Sequence, residues 1–175
     1  LLSQAEHDPR AAVFLITPDK EFGLAVQQEM EKQMKELSRY EIMKNSVDQY
    51  AKAFLCKDTE QCFDIVNKIA PEHLEVELPD PKKYLPLIYN AGAIFLGKYT
   101  SEPLGDYMAG PNHTLPTSGT AAFSSPLGVY DFVKHSSVEC YSEEAFRKIS
   151  KKVQLFAKAE GLTAHAHAME VRDED

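Results

Sequence analysis

The sequence lacks most of the marks by which a function is read at sight. Its three cysteines, Cys56, Cys62 and Cys140, are odd in number and show no paired spacing. That argues against a disulfide framework and for reduced thiols in a cytosolic protein. Positive charge is scarce: 19 Lys and Arg stand against 27 Asp and Glu, for a formal net charge of −8. A chain of that sign is a poor match for nucleic acid or an anionic membrane surface. No apolar run reaches spanning length and no signal peptide is visible. G-x-G-x-x-G, the phosphate loop, G-x-S-x-G, H-E-x-x-H and C-x-x-C are all missing, so no dinucleotide fingerprint, nucleophile elbow or zincin helix can be read. Internal repeats and low-complexity tracts are missing too. What remains is 175 residues, 43% of them hydrophobic, enough for one domain and a small appendage. The first residue is Leu1 rather than methionine, and the chain reads as a piece of something longer.

The stretch Gly105-Asp-Tyr-Met-Ala-Gly-Pro-Asn-His-Thr-Leu-Pro-Thr117 concentrates the most chemistry. Neither a 3.6 nor a 2.0 hydrophobic period runs through it, so it reads as a loop that glycine bends and proline stiffens. A rigid loop bearing Asp106 and His113 suits ligand binding, and equally a surface Ω-loop.

Around it, apolar runs alternate with helical stripes. Strands are expected at residues 11–17, 51–56, 73–78 and 93–96, and a fifth at 136–141. A helix opens at Pro18-Asp19 and runs to about Leu37, with Phe22, Val26, Met30, Met34 and Leu37 at helical spacing; its methionines read as core packing. Residues 40–49 show no clear pattern. Asp58 caps a helix to Ala70, with Cys62, Ile65, Val66 and Ile69 inward and Pro71 as the stop. A short helix occupies residues 79–90. A broken helix is expected over 121–133, around Pro126 and Gly128. Ser142 opens a further helix striped by Phe146, Ile149, Val153 and Phe156. After Gly161 a terminal helix runs over 162–171, followed by a polar tail. Strands alternating with helices imply α/β architecture, with a mostly parallel, incomplete Rossmann-like sheet flanked by helices. We divide the chain into an α/β domain, residues 1–141, and a C-terminal helical appendage, residues 142–175.

Several side chains could do chemistry. Gln4 and His7 stand three apart, one face of a helix, where both could reach one metal ion; such a pair is more often a solvated or capping pair. Glu72-His73 offers a carboxylate and an imidazole at an element boundary, suited to acid–base work, or else an ordinary surface glutamate and half-buried histidine. Glu160 and His165 flank the Gly161 break. His165 and His167, two apart, point away from each other on a helix. The residues alone therefore describe an α/β domain with nitrogen and oxygen donors for a divalent metal and a carboxylate–imidazole pair. They do not choose the reaction.

Five blocks do. Leu2-Ser-Gln-Ala-Glu-His-Asp8, Pro71-Glu-His-Leu74, Gly92-Ala-Ile-Phe-Leu-Gly97, the Gly105–Thr117 stretch and Leu162-Thr-Ala-His165 resemble, in order and across essentially the whole chain, the C-terminal part of the histidinol dehydrogenases. The resemblance implies an NAD-dependent, four-electron oxidation of L-histidinol to L-histidine through an aldehyde, the last steps of histidine biosynthesis, in a cytoplasmic homodimer. It implies one zinc ion per site, held by Gln4, His7, Asp106 and His165, whose work is to position the substrate. His73 is implied as the base for the alcohol proton and Glu72 as the group that activates the hydrating water. His113 and Glu160 match substrate-contacting positions. Substrate binding is thus assigned to Gln4, His7, Glu72, His73, Asp106, His113, Glu160 and His165. The tail of one subunit is implied to complete the other's site, which puts Glu160 and His165 in trans. The NAD-binding region falls outside these residues, so no NAD contacts are assigned and the isolated chain is expected to be inactive. Two other readings use the same residues: a non-catalytic metal-binding or dimerisation module, and a hydrolase using Glu72 with a metal-bound water.

Overall fold

Parallel strands set the plan of the molecule, and each strand is only four residues long. The computed structural model describes residues 1–173. It divides into two compact units, Leu1–Phe132 and Val133–Asp175, each treated by itself below. The first runs α1 (Leu2–Ala5), β1 (Phe14–Thr17), α2 (Lys20–Met34), α3 (Tyr40–Tyr50), β2 (Lys52–Leu55), α4 (Thr59–Ile69), β3 (His73–Val76), a 3-10 stretch (Pro81–Leu87), β4 (Ala93–Leu96) and α5 (Glu102–Tyr107). Two 3-10 turns, Thr120–Ala122 and Val129–Phe132, follow. The second unit holds α6 (Glu143–Ala159) and α7 (Thr163–Asp173). The architecture is the expected mixed α/β kind, with helices around parallel strands. Among the described residues the strands form two separate pairs, β1 with β2 and β3 with β4, both parallel.

Local chemistry sets the boundaries. Asp19 accepts from the N–H groups of Glu21 and Phe22 to start α2, and Asp58 accepts from Gln61 N–H at 2.8 Å to start α4. Each cap satisfies helix-end donors that would otherwise be unpaired. Helix α4 ends where Ala70 turns left-handed, immediately before Pro71. Cys62, Phe63 and Val66 are its buried face. The Cys62 thiol, pushed up to about 12 chiefly by burial and next by the Cys56 thiol, stays protonated and unreactive at neutral pH.

The core of the first unit gathers Ala5, Val13, Met34 and Met43, with Leu2, Tyr40, Val47 and Ala51 packed against them. Met43 is fully buried, which contributes about 1.5–3 kcal/mol. Ser46 Oγ donates to the Ala11 carbonyl at 2.7 Å and ties α3 to the segment entering β1. The patternless residues 40–49 are therefore helical because tertiary packing holds Met43 and Ser46, not because of an unbroken apolar stripe.

Three expectations are corrected. Residues 136–141 form no strand; they are irregular and exposed, with Val138 90% accessible, and among the described residues no strand pairs with them to satisfy their backbone groups. The stretch beginning at Gly105 is not wholly loop: α5 carries helix through Tyr107, so Asp106 stands on a helix. The expected broken helix over 121–133 is reduced to the two 3-10 turns, as Pro126 and Gly128 between them would suggest.

In the second unit, α6 starts at Ser142, whose Oγ accepts from Ala145 N–H at 3.2 Å. The buried residues of α6 are Ser150, Gln154 and Ala157, while Phe156 is 68% exposed. A polar network joins the pair: Ser150 Oγ donates to Asp173 Oδ2 at 2.7 Å and Gln154 Nε2 donates to the same oxygen at 2.7 Å. Among the described residues no helix is long and apolar enough to cross a membrane.

Candidate metal and acid–base site

The site is assembled where β3 begins and α5 passes over it. Backbone contacts fix the entry to β3: Gly92 N–H donates to the Pro71 carbonyl at 2.9 Å and Ala93 N–H to the Glu72 carbonyl at 2.8 Å. A Cβ at residue 92 would lie 2.6 Å from the Glu72 carbonyl oxygen, so only glycine permits this approach. The approach to β4 is set from α4. Asn67 Nδ2 donates to the Leu87 carbonyl at 2.8 Å, and its Oδ1 accepts from Tyr89 N–H at 2.7 Å and Asn90 N–H at 3.1 Å.

Helix α5 is fixed just as firmly. Ser101 gives its N-terminus no side-chain cap; instead Glu102 N–H donates to the Glu75 carboxylate of β3 at 2.9 Å. The negative charge there also suits the positive end of the helix. A Cβ at residue 105 would meet Phe95 Cε1 at 2.5 Å, so glycine lets α5 lie directly on the aromatic ring of β4. The same Phe95 ring lies 6.0 Å, centroid to centroid, from the His73 imidazole.

These constraints bring three donors to one point. His73, Glu102 and Asp106 each offer a ligand atom, and those atoms lie within 4.8 Å of one another. His73 Nε2 is 4.0 Å from Asp106 Oδ1, too long for a direct hydrogen bond. Glu102 is 6% exposed. Burial pushes its carboxyl above the usual range; the Asp106 side chain adds to the effect, while the charge of His73 and the Ser3 hydroxyl oppose it. Three buried side-chain atoms have no hydrogen-bond partner among the described residues: Gln4 Oε1, His73 Nε2 and Glu102 Oε2. Buried polar atoms are nearly always paired. Of the three, His73 Nε2 and Glu102 Oε2 belong to the one cluster and fit a cation or ligand donors.

The residues singled out in the sequence are distributed as follows. His73 and Asp106 share the cluster. Glu72 is half-buried in the turn before β3. Gln4 lies on α1 beside Ser3, which reaches Glu102, while His7 occupies the exposed turn past the helix end. His113 is in the exposed run after α5. Glu160 caps the end of α6 and His165 stands exposed on α7, both in the second unit. Glu102 was missed. Its signal was present as Ser-Glu-Pro before Leu-Gly-Asp: a helix started there puts Glu102 and Asp106 four apart on one face.

The family model for histidinol dehydrogenase matches residues 1–173. The chain belongs to the histidinol dehydrogenase family. Histidinol dehydrogenase of Aquifex aeolicus is 52% identical over 175 residues, and that of Listeria monocytogenes 53% over the same length. Both alignments take in 100% of this chain and 41% of the relative. A crystal structure of histidinol dehydrogenase from Elizabethkingia anophelis superposes with a TM-score of 0.91 at 34% identity, covering 99% of this chain and 40% of that one. The chain thus spans about two fifths of the length of the family members it matches. The family's blocks fall on the elements that build the site: Pro71-Glu-His-Leu74 on the entry to β3, Gly92–Gly97 on β4, and Gly105-Asp on α5.

Proposed function

We propose that this chain carries the metal- and substrate-binding portion of a histidinol dehydrogenase, which oxidises L-histidinol to L-histidine through an aldehyde. The observation supporting this most directly is the cluster of His73, Glu102 and Asp106, in which His73 Nε2 and Glu102 Oε2 are buried and unpaired; His73 and Asp106 stand in the family's blocks. In this reading Gln4, His7 and Asp106 hold one zinc ion with His165, and Glu160 and His165 come from the tail of a second copy of the chain. The division at residue 141 then separates a domain bearing the chemistry from a tail that completes a neighbour's site. Zinc, when bound, supplies a fixed positive centre that orients an imidazole-bearing amino alcohol. NAD, the hydride acceptor, binds the portion of the family's length that these residues do not span.

The chain's own residues do the proton work. His73, with Nε2 unpaired and facing Asp106, takes the alcohol proton as the C–H hydride departs, so charge flows toward the forming carbonyl. Phe95 against the imidazole keeps bulk water from that face. Glu72, one residue earlier in the half-exposed turn, takes a proton from the water that adds to the aldehyde; His73 then takes a hydroxyl proton of the hydrate as its second hydride departs. His113 contacts substrate from the loop beyond α5. The setting is cytoplasmic, as for a soluble biosynthetic enzyme.

Elemental analysis and substrate binding test this. The purified chain is expected to hold about one zinc per site with histidinol present, and Asp106→Asn to weaken zinc about 10- to 100-fold. Unchanged zinc affinity in that variant would overturn the metal assignment.

A further inference from the structure

Glu75 stands one residue past the block Pro71-Glu-His-Leu74 and is not among the groups that gather at the site. It is two residues from His73 on β3, so both side chains leave the same face of the strand. Phe95 is its register partner on β4, which puts the carboxylate and the aromatic ring side by side beneath α5. Those two side chains hold a helix that cannot hold itself. Helix α5 has six residues, with Pro103 and Gly105 among them, too short and too poor in helix formers to persist on local propensity. Ser101 supplies no side-chain cap. Within the first turn Pro103 has no N–H, and Leu104 N–H donates to the Ser101 carbonyl at 3.1 Å. That leaves Glu102 N–H, on a residue 6% exposed, and the Glu75 carboxylate accepts from it at 2.9 Å. A buried backbone donor without a partner is costly, and a carboxylate is a strong acceptor for a helix-end donor.

Resting on the functional reading above, we propose that Glu75 is a positioning residue of the metal site: it caps α5 from the neighbouring strand and so holds Asp106 where the cation is gripped. Asp106 stands four residues past the capped N–H, little more than one turn along, on the face that also carries Glu102. The chain of contacts is short. Glu75 fixes the start of α5, Phe95 under Gly105 fixes its height over β4, and Asp106 is the next residue. Without the cap the first turn is free to unwind, and in a helix this short Asp106 moves with it. The effect is one of geometry rather than of charge, because an uncharged acceptor of the same length can take the same N–H.

The test measures zinc affinity of the purified chain by competition with a chelator. Two readouts accompany it: the visible absorption of bound cobalt(II), which follows coordination geometry, and amide exchange along α5 in the metal-free chain. Glu75→Ala is expected to weaken zinc about 10-fold, to change the cobalt spectrum and to speed exchange at Glu102, Leu104 and Met108. Glu75→Gln keeps an acceptor oxygen and is expected to stay within about threefold of the parent, with the parent's spectrum and exchange. Glu77→Ala removes the same charge just past the end of β3 and is expected to leave zinc affinity within about threefold. An Ala variant with the parent's zinc affinity overturns the proposal. So does a Gln variant as weak as the Ala variant, because charge rather than the cap would then be at work. If the Ala variant does not fold, Glu75→Met, of similar length and without an oxygen acceptor, takes its place under the same criteria. Either result with normal zinc binding by the parent overturns this inference alone; a parent chain that binds no zinc overturns the functional reading, and this inference with it.

Discussion

Gly105 has no room for a side chain. Its Cα faces the Phe95 ring at a separation where a methyl carbon would stand 2.5 Å from Cε1. The obstacle is a packed aromatic ring, itself 6% exposed and against His73, so it cannot swing aside cheaply. Gly105→Ala is therefore expected to destabilise the fold by about 1–3 kcal/mol, read from chemical denaturation. It should also lower zinc affinity by shifting Asp106 one residue on. Full zinc affinity with unchanged stability would show that α5 is not held as described. Glycine at 105 was visible in the sequence as a turn residue; its true role, close approach inside a helix, required the partner ring on β4. Glu102 went unread for a related reason. Its significance lies in burial and in an absent partner, neither of which a one-dimensional pattern displays.

At the scale of elements, side chains on one helix decide where the next begins. Asn67 on α4 uses its amide group for three hydrogen bonds to backbone at residues 87, 89 and 90. Its own carbonyl accepts from Asn90 Nδ2 at 2.9 Å. Asn67→Ala leaves those backbone groups without protein partners. It should cost about 1–3 kcal/mol and raise hydrogen exchange across residues 87–93 more than at α3. Uniform exchange across the unit would contradict this. Asp58→Ala removes the cap of α4 and is expected to cost about 1 kcal/mol in a denaturation series. Asp58→Glu is expected to keep less than half of the cap's contribution, because the longer side chain overshoots the cap geometry. The Asp58 and Asp19 caps and the first four strand positions were legible beforehand, as were Cys62 and Val66 of the α4 face though not Phe63, because each depends on neighbours within a few residues. The fifth strand was not, because a strand exists only when another supplies its hydrogen bonds. Helix α3 was the converse case: Ser46 is held by the Ala11 carbonyl, 35 positions away, and Met43 packs with Ala5 and Val13 of the N-terminal segment.

For the molecule as a whole, pH acts on the second unit through two of its carboxyls. Asp173 lies below its ordinary range, first through its hydrogen bond from Ser150 and then through those of Lys151 and Gln154. Glu170 is lowered mainly by Lys158. A depressed carboxyl contributes stability that is present above its unfolded value, about 3.9 to 4.3, and is lost as pH falls through the folded value. The α6–α7 pair should thus keep its helicity down to about pH 5 and lose it progressively below about pH 4. Circular dichroism of Asp173→Asn should show a flatter acid limb with lower stability at neutral pH; an unaltered limb would mean the network carries no linkage. The isolated chain is also expected to produce no NADH from histidinol and NAD, followed at the nicotinamide absorbance band. Turnover would show that the portion spanned by these residues suffices for chemistry.

Sequence alone determined the family, the α/β alternation, the helix caps and the blocks that hold His73 and Asp106. All of these depend on residue identity at short, regular spacing. Tertiary structure alone decided that α5 is a helix, that Gly92 and Gly105 are there for closeness rather than for turning, and that Glu102 stands beside Asp106 and His73. The reason is physical. Spacing along a chain specifies which side chains share a face, whereas burial and an unpaired polar atom are properties of what another element brings against that face.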